Sequence, residues 1–494
     1  MPFPTLRVSV LALLFGLAGP VAAQAPSATA SGLARCWLRG LEQQALCGSV
    51  KRPLDPARPA GTTIEVHYAV LPALARHGRP DPVFFLAGGP GQSAMDLAAP
   101  LSRQFSRLLN GRDLVLIDQR GTGRSAPLKC PDDQEGAVPQ PLAQRLDQGL
   151  QLQRLQQCRS ALQRLPHGDL RHYTTPLAMA DAEAVRAALG ADKVNLVGGS
   201  YGTRAALEYL RQFPQRVRRV VIDGVAPPDM ALAASFSTDN QAALDALFAW
   251  CAADPACKAR HPDLRAQWQA LLAGLPRSVN VTDPFSGQPE SLTLTRHAVL
   301  DAVRNALYLP LAASALPQAL AQAGQGSFGA LLALPSMLGG GAGGLATGMH
   351  FSVVCSEDAQ SPGPRSAPGA DFGDLFERQY REVCADWPRG SLPAAFYSVP
   401  ASTAPVLVLS GAIDPATPPR HGERVARALG PNARHVVVPN AGHGVLSLAC
   451  QNEVMNRFIG ADTDAAALQV DTGCAKDLPR PPAARALTPP GARP

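Results

Sequence analysis

The chain has 494 residues, a net charge of +6 from 45 Lys and Arg against 39 Asp and Glu, and 46% hydrophobic residues. That length is too great for one ordinary domain but suits a large buried core carrying an insertion. The charge is small for the length and forms no basic cluster, which argues against nucleic acid as a partner.

The N-terminus reads as an export signal. Arg7 precedes an apolar run over 8–17, and Val21-Ala22-Ala23 supplies the small residues a signal peptidase needs, so cleavage is expected after Ala23. The apolar run is too short to anchor the chain in a membrane and gives way promptly to polar, Pro-containing sequence. No Cys stands at the cleavage point, so a lipoprotein is not expected. Removing residues 1–23, which hold one Arg and no acid, takes the charge from +6 to +5. The expected location is periplasmic or secreted, with no stable membrane anchor after cleavage.

Strands are predicted at 62–70, 82–86, 113–117, 193–197, 217–223, 406–410 and 435–438, with helical sequence between them, notably 178–189 and 204–212. Alternation of this kind gives a mostly parallel sheet covered by helices on both faces. After the 82–86 strand comes Ala87-Gly88-Gly89-Pro90-Gly91, a loop able to present a backbone N–H to an oxyanion; Pro90 has none to offer. The 113–117 strand leads into Asp118-Gln119-Arg120-Gly121-Thr122-Gly123-Arg124-Ser125. Its glycines invite a phosphate-loop reading, but neither G-x-x-x-x-G-K-[ST] nor a dinucleotide fingerprint is present. A tight hydrogen-bonded turn beneath the functional site is expected instead, with Arg120 paired to a carboxylate that the sequence does not name.

The 193–197 strand runs directly into Gly198-Gly199-Ser200-Tyr201-Gly202. A serine between glycines fits a sharp strand-to-helix turn that lifts its hydroxyl clear of the sheet, which marks Ser200 as a nucleophile. The N–H groups of Gly89 and Tyr201 are the candidate oxyanion donors.

Residues 230–395 break the strand rhythm. Ala- and Leu-rich helices at 240–253 and 296–307 suggest a helical cap over Ser200, and the glycine run at 339–344 a loose or mobile segment within it. Beyond the cap, the 406–410 strand is followed by Asp414 and the 435–438 strand by His443. A carboxylate just past a strand end is placed to orient an imidazole, and the imidazole to take the serine proton. Taken singly, Asp414 reads as a turn residue and His443 as an ordinary loop histidine; the conjunction of three strand ends in the order Ser200, Asp414, His443 makes a catalytic triad of an α/β-hydrolase fold. The chain then divides into 1–23 signal, 24–229 and 396–476 core, 230–395 cap, and a Pro-rich, poorly ordered tail at 477–494.

Ten cysteines fit an oxidising compartment, and none forms a CxxC pair or a zinc-like cluster. Neighbouring positions suggest Cys36 with Cys47, Cys130 with Cys158, Cys251 with Cys257, Cys355 with Cys384, and Cys450 with Cys474, though connectivity does not follow from sequence.

Gly88-Gly89-Pro90-Gly91, the 118–125 segment, Gly198 to Gly202 and Gly442-His443-Gly444 together resemble the proline iminopeptidase and tripeptidyl aminopeptidase family of serine peptidases, over about residues 62–450. Asp414-Pro415-Ala416-Thr417-Pro418-Pro419 and the cysteine content resemble the secreted tripeptidyl aminopeptidase branch. One departure is Ala87, where many proline iminopeptidases have His, so prolyl preference does not transfer. The resemblance implies removal of residues from a free peptide N-terminus, and hence an anionic anchor for the α-ammonium. Glu357 and Asp358 are the candidates; the plainer reading is a solvated acidic pair after a strand. The chemistry calls for no metal and no organic cofactor. A carboxylesterase using the same triad, and a hydrolase-fold binding protein without activity, are the competing readings.

Overall fold

The computed structural model describes residues 32–134, 136–338, 344–363 and 367–484. The expected signal segment, most of the 339–344 glycine run and the end of the Pro-rich tail lie outside the described residues.

Nine strands form one sheet in the order β1-β2-β3-β5-β4-β6-β7-β10-β11. They are β1 (Ala34–Cys36), β2 (Ala45–Pro53), β3 (Thr63–Leu71), β4 (Val83–Leu86), β5 (Leu114–Ile117), β6 (Val194–Gly199), β7 (Val217–Asp223), β10 (Val406–Gly411) and β11 (Ala433–Val438). From β5 to β11 every neighbouring pair is parallel, while β1, β2 and β3 add antiparallel strands at one edge. The fold is that of an α/β hydrolase. Parallel strands are buried on both faces, and the sequence shows it: β5 (LVLI) and the first five residues of β6 are fully buried. Side chains alternate between two cores. Leu196, Val220, Ile222 and Val408 face one, and Val197, Val221, Leu407 and Leu409 the other.

Strands β1 and β2, at one end of the sheet, escape sequence prediction because their burial is mixed and their composition polar. Between β7 and β10 the chain builds a separate, largely helical layer with its own core around Trp268, Leu300, Leu316 and Phe372. The expected helix at 240–253 is longer, Leu232–Ala253, and the 296–307 helix is Arg296–Leu307 as read. This layer is not wholly helical: an antiparallel hairpin, β8 (Arg277–Thr282) and β9 (Pro289–Leu294), interrupts it. The tail also departs from expectation as far as Ala484. Arg480 stacks over Trp250, and the Ala484 N–H donates to the Ser314 carbonyl, so the start of the tail packs on this layer.

All ten cysteines are paired in the five combinations of neighbouring positions. Among the described residues no helix is long and apolar enough to cross a membrane.

Candidate active site

Ser200 sits at φ 55°, ψ −124° between β6 and the Tyr201–Gln212 helix. A non-glycine residue with positive φ is strained, and such strain at a strand-to-helix turn exposes the side chain. The flanking glycines are required by close backbone approach. A Cβ on Gly202 would lie 2.0 Å from the Leu86 carbonyl oxygen, and one on Gly198 2.3 Å from the Gly202 oxygen. The turn is secured by the Ser200 N–H donating to the Asp223 carbonyl at 2.9 Å.

Asp414 and His443 come together from the ends of β10 and β11. His443 Nδ1 lies 2.8 Å from Asp414 Oδ2. The same Asp414 oxygen accepts from Thr417 Oγ1, and its Oδ1 accepts the N–H groups of Ala416 and Thr417. Burial alone would raise the Asp414 pKa, but His443 and these donors outweigh it and hold the carboxyl below its ordinary value. Burial likewise opposes charge on His443, whereas the Asp414 carboxylate, with a smaller contribution from Asp223, lifts the imidazole above its ordinary value. His443 is 15% exposed and lines, with Ser200, one cavity of about 730 Å³.

Gly88, Gly89 and Tyr201 line that cavity too. Gly89 has φ 110° and precedes a cis bond to Pro90. Among the described residues, no protein acceptor takes the N–H of Gly89 or of Tyr201. Two donors beside a serine hydroxyl can hold a developing oxyanion.

The 118–125 segment is a tight hydrogen-bonded turn, as expected: the Gly121 N–H donates to the Ser125 carbonyl and the Thr122 N–H to the Gln119 carbonyl. Asp118 accepts from Ser93 Oγ, Met95 N–H and Arg124 N–H. The partner of Arg120 is Asp181, reached through Nε at 2.7 Å and Nη2 at 2.9 Å in a buried pair.

Glu357 and Asp358 stand at the end of the Thr347–Glu357 helix, not after a strand, and both are buried. Arg204 from the Tyr201–Gln212 helix lies between them, its Nη1 3.2 Å from Glu357 and 2.6 Å from Asp358. Glu357 is further occupied by the N–H and hydroxyl of Thr175, and Asp358 by the Leu232 N–H. Burial drives the Glu357 pKa up to about 7 and raises that of Asp358, despite Arg204. Asp358 and Arg204 line the cavity; Glu357 stands behind them.

Four further residues shape the site. Asp223, at the end of β7, accepts the N–H groups of Val445 and Leu446, and burial takes its pKa up to about 6. Tyr308 sets its ring edge-on to His443 at 5.1 Å, and its carbonyl accepts the His443 N–H. His350 spans Pro90 O and Tyr380 Oη, with burial taking its pKa down to about 4. Arg304 is the fourth. Of these, only Asp223 carries a sequence signal, an acid followed by glycine at a predicted strand end.

The α/β-hydrolase fold family matches residues 81–448. The tripeptidyl aminopeptidase of Streptomyces lividans is 33% identical over 191 residues, covering 37% of this chain and 35% of that protein. The serine protease Hip1 of Mycobacterium tuberculosis is 32% identical over 192 residues, 37% of this chain and 36% of its own. This chain thus spans about a third of the length of those relatives. Carboxylesterase B of M. tuberculosis is 30% identical over 418 residues, 78% of each chain. The chain belongs to the α/β-hydrolase fold family and over part of its length is similar to the tripeptidyl aminopeptidases.

Proposed function

We propose that the protein is an exported serine aminopeptidase that releases an N-terminal residue or short peptide from substrates with a free α-amine. Ser200 Oγ attacks the scissile carbonyl while His443 Nε2 accepts its proton, and Asp414 holds the imidazole and stabilises its charged form. The oxyanion is met by the N–H groups of Gly89 and Tyr201. His443 then protonates the departing amine, and water, activated by the same imidazole, hydrolyses the acyl-enzyme. No metal or organic cofactor takes part in these steps.

The observation that carries the peptidase reading is the acidic wall of the cavity. Two carboxylates share one guanidinium at Arg204, which leaves one negative charge when both are ionised. Asp358, which lines the cavity, would receive the substrate ammonium, and Glu357 behind it, its pKa taken up to about 7 by burial, adds negative charge as the pH rises through that value. Five disulfides support an oxidising compartment. A carboxylesterase is the second reading, favoured by the relative that aligns over most of both chains.

The test is hydrolysis of aminoacyl, prolyl and tripeptidyl chromogenic amides beside a short-chain ester, with Ser200→Ala as control. Turnover of one or more free-amine amides, lost in Ser200→Ala, is expected. Asp358→Asn should raise KM for that amide more than for the ester. Turnover of the ester alone would replace the peptidase by the esterase.

A further inference from the structure

The substrate's departing portion must lie beside His443, because that imidazole protonates it. Tyr308 packs against His443, and Arg304, four residues earlier, shares its face at the end of the Arg296–Leu307 helix. Arg304 therefore flanks the leaving side of the cavity, which it lines. Its side chain is 19% exposed, and the guanidinium lies over the rings of Phe236 and Phe376 at 5.2 and 5.1 Å, which hold it in place.

Its own carboxylate partner leaves capacity unused. Nε and Nη2 of Arg304 both go to one oxygen of Asp301, at 3.3 and 2.8 Å, while the other oxygen accepts from Asn305. The Tyr308 hydroxyl is the guanidinium's other side-chain neighbour, and these two partners together leave part of the five-donor fork free. Asp301 is 37% exposed, which weakens its hold on the charge. The other charged groups of the cavity are differently engaged: Arg204 is taken by Glu357 and Asp358, and Asp223 by two backbone N–H groups. Arg304 also borders a second cavity of about 260 Å³ lined by Arg145, Gln148 and Gln379, with Phe236, Phe351 and Tyr380 shared between the two. The departing portion has a further space of mixed polar and aromatic lining, with Asp301 in its wall, to enter just past this guanidinium.

We propose that Arg304 is a carboxylate-binding residue on the leaving side of the active site, selecting substrates that carry a carboxylate shortly beyond the scissile bond. One helical turn separates it from Tyr308, about 5 Å, the reach of about one to two extended residues. The carboxylate is either the C-terminus of a short peptide or an Asp or Glu side chain. Its identification with a peptide rests on the aminopeptidase reading; the carboxylate preference itself does not.

Isothermal titration calorimetry in a Ser200→Ala background separates the two, since nothing is turned over. The ligands are alanine peptides of two to five residues as free acids, the same peptides as C-terminal amides, and the amides with Asp in the last position. At one length or more the acid is expected to bind about tenfold or more tightly than the amide, the size of a charge-assisted pair. Gain by the Asp amide instead assigns the carboxylate to a side chain. Arg304→Gln should bring the ratio near one, and Arg304→Lys, which keeps the charge but loses the fork, should leave an intermediate ratio even if the glutamine variant fails to fold. Equal binding of acids and amides at every length, or a ratio that survives Arg304→Gln, overturns the proposal. Failure of the unmodified enzyme to cleave any free-amine peptide would instead fall on the aminopeptidase reading.

Discussion

Asp414→Asn changes one atom at the centre of the proposed triad, and the geometry dictates its effect. Asp414 Oδ1 accepts the N–H groups of Ala416 and Thr417 at 2.8 and 2.9 Å, and Oδ2 faces Thr417 Oγ1 and His443 Nδ1, each at 2.8 Å. An asparagine keeps the two backbone bonds only with its amide nitrogen turned toward His443. The flipped orientation would set an NH2 against two buried N–H donors, at about 1–3 kcal/mol for each group left unsatisfied. The amide therefore donates to Nδ1, and the proton of the neutral imidazole moves to Nε2. That nitrogen can no longer accept from Ser200. In comparable triads this tautomer error costs about 10⁴ in kcat, equivalent to about 5 kcal/mol. The assay is kcat and kcat/KM for a short-chain ester and a free-amine tripeptidyl amide, with melting temperature as the check on folding. Asp223→Asn is the comparison, because Asp223 is the other carboxylate acting on His443. A loss below tenfold in a normally folded Asp414→Asn protein, or a large loss confined to Asp223→Asn, would refute the assignment of Asp414.

Two further outcomes follow from the same geometry. The proposed mechanism needs neutral His443, whose pKa the Asp414 carboxylate holds above 6.5, so kcat/KM should fall as pH drops through a midpoint above that value. Asp223 gains its proton near pH 6 and then no longer helps to raise His443, so the acid limb should flatten there, and Asp414→Asn should move the limb down; a wild-type midpoint at or below 6.5 contradicts this. Gly202→Ala would press a Cβ to 2.0 Å from the Leu86 carbonyl, where only backbone movement gives relief. A loss of about 2–4 kcal/mol in urea unfolding is expected, together with loss of fluorophosphonate labelling at Ser200; a wild-type midpoint would show that the elbow is not as tight as described.

The sequence was legible where one local pattern carried the structure. The parallel strands announce themselves as continuous apolar runs, and the serine between glycines follows one of them. Asp414 and His443 each occupy the loop after such a run, so their convergence follows from chain order. What remained hidden was set by long-range packing. Arg120 pairs with Asp181, 61 residues away, on a helix that carries no sign of it. Glu357 and Asp358 look like surface acids until the fold brings Arg204 between them from the helix after Ser200. The β8–β9 hairpin escapes because its alternation covers only six residues on each strand within helix-rich sequence. Arg304 and Tyr308 read as ordinary helix residues; only the docking of that helix on the His443 loop gives them a place in the site.

The most direct measurement is the ratio of kcat/KM for one tripeptidyl chromogenic amide with its α-amine free to that of the same compound N-acetylated. Acetylation removes the charge that the Asp358 and Glu357 wall is proposed to recognise, and changes nothing at the scissile carbonyl. A fall of about tenfold to a hundredfold on acetylation, the worth of a charge-assisted pair, is the expected result. Equal rates for the two compounds, or no turnover of either beside rapid ester hydrolysis, would contradict the aminopeptidase.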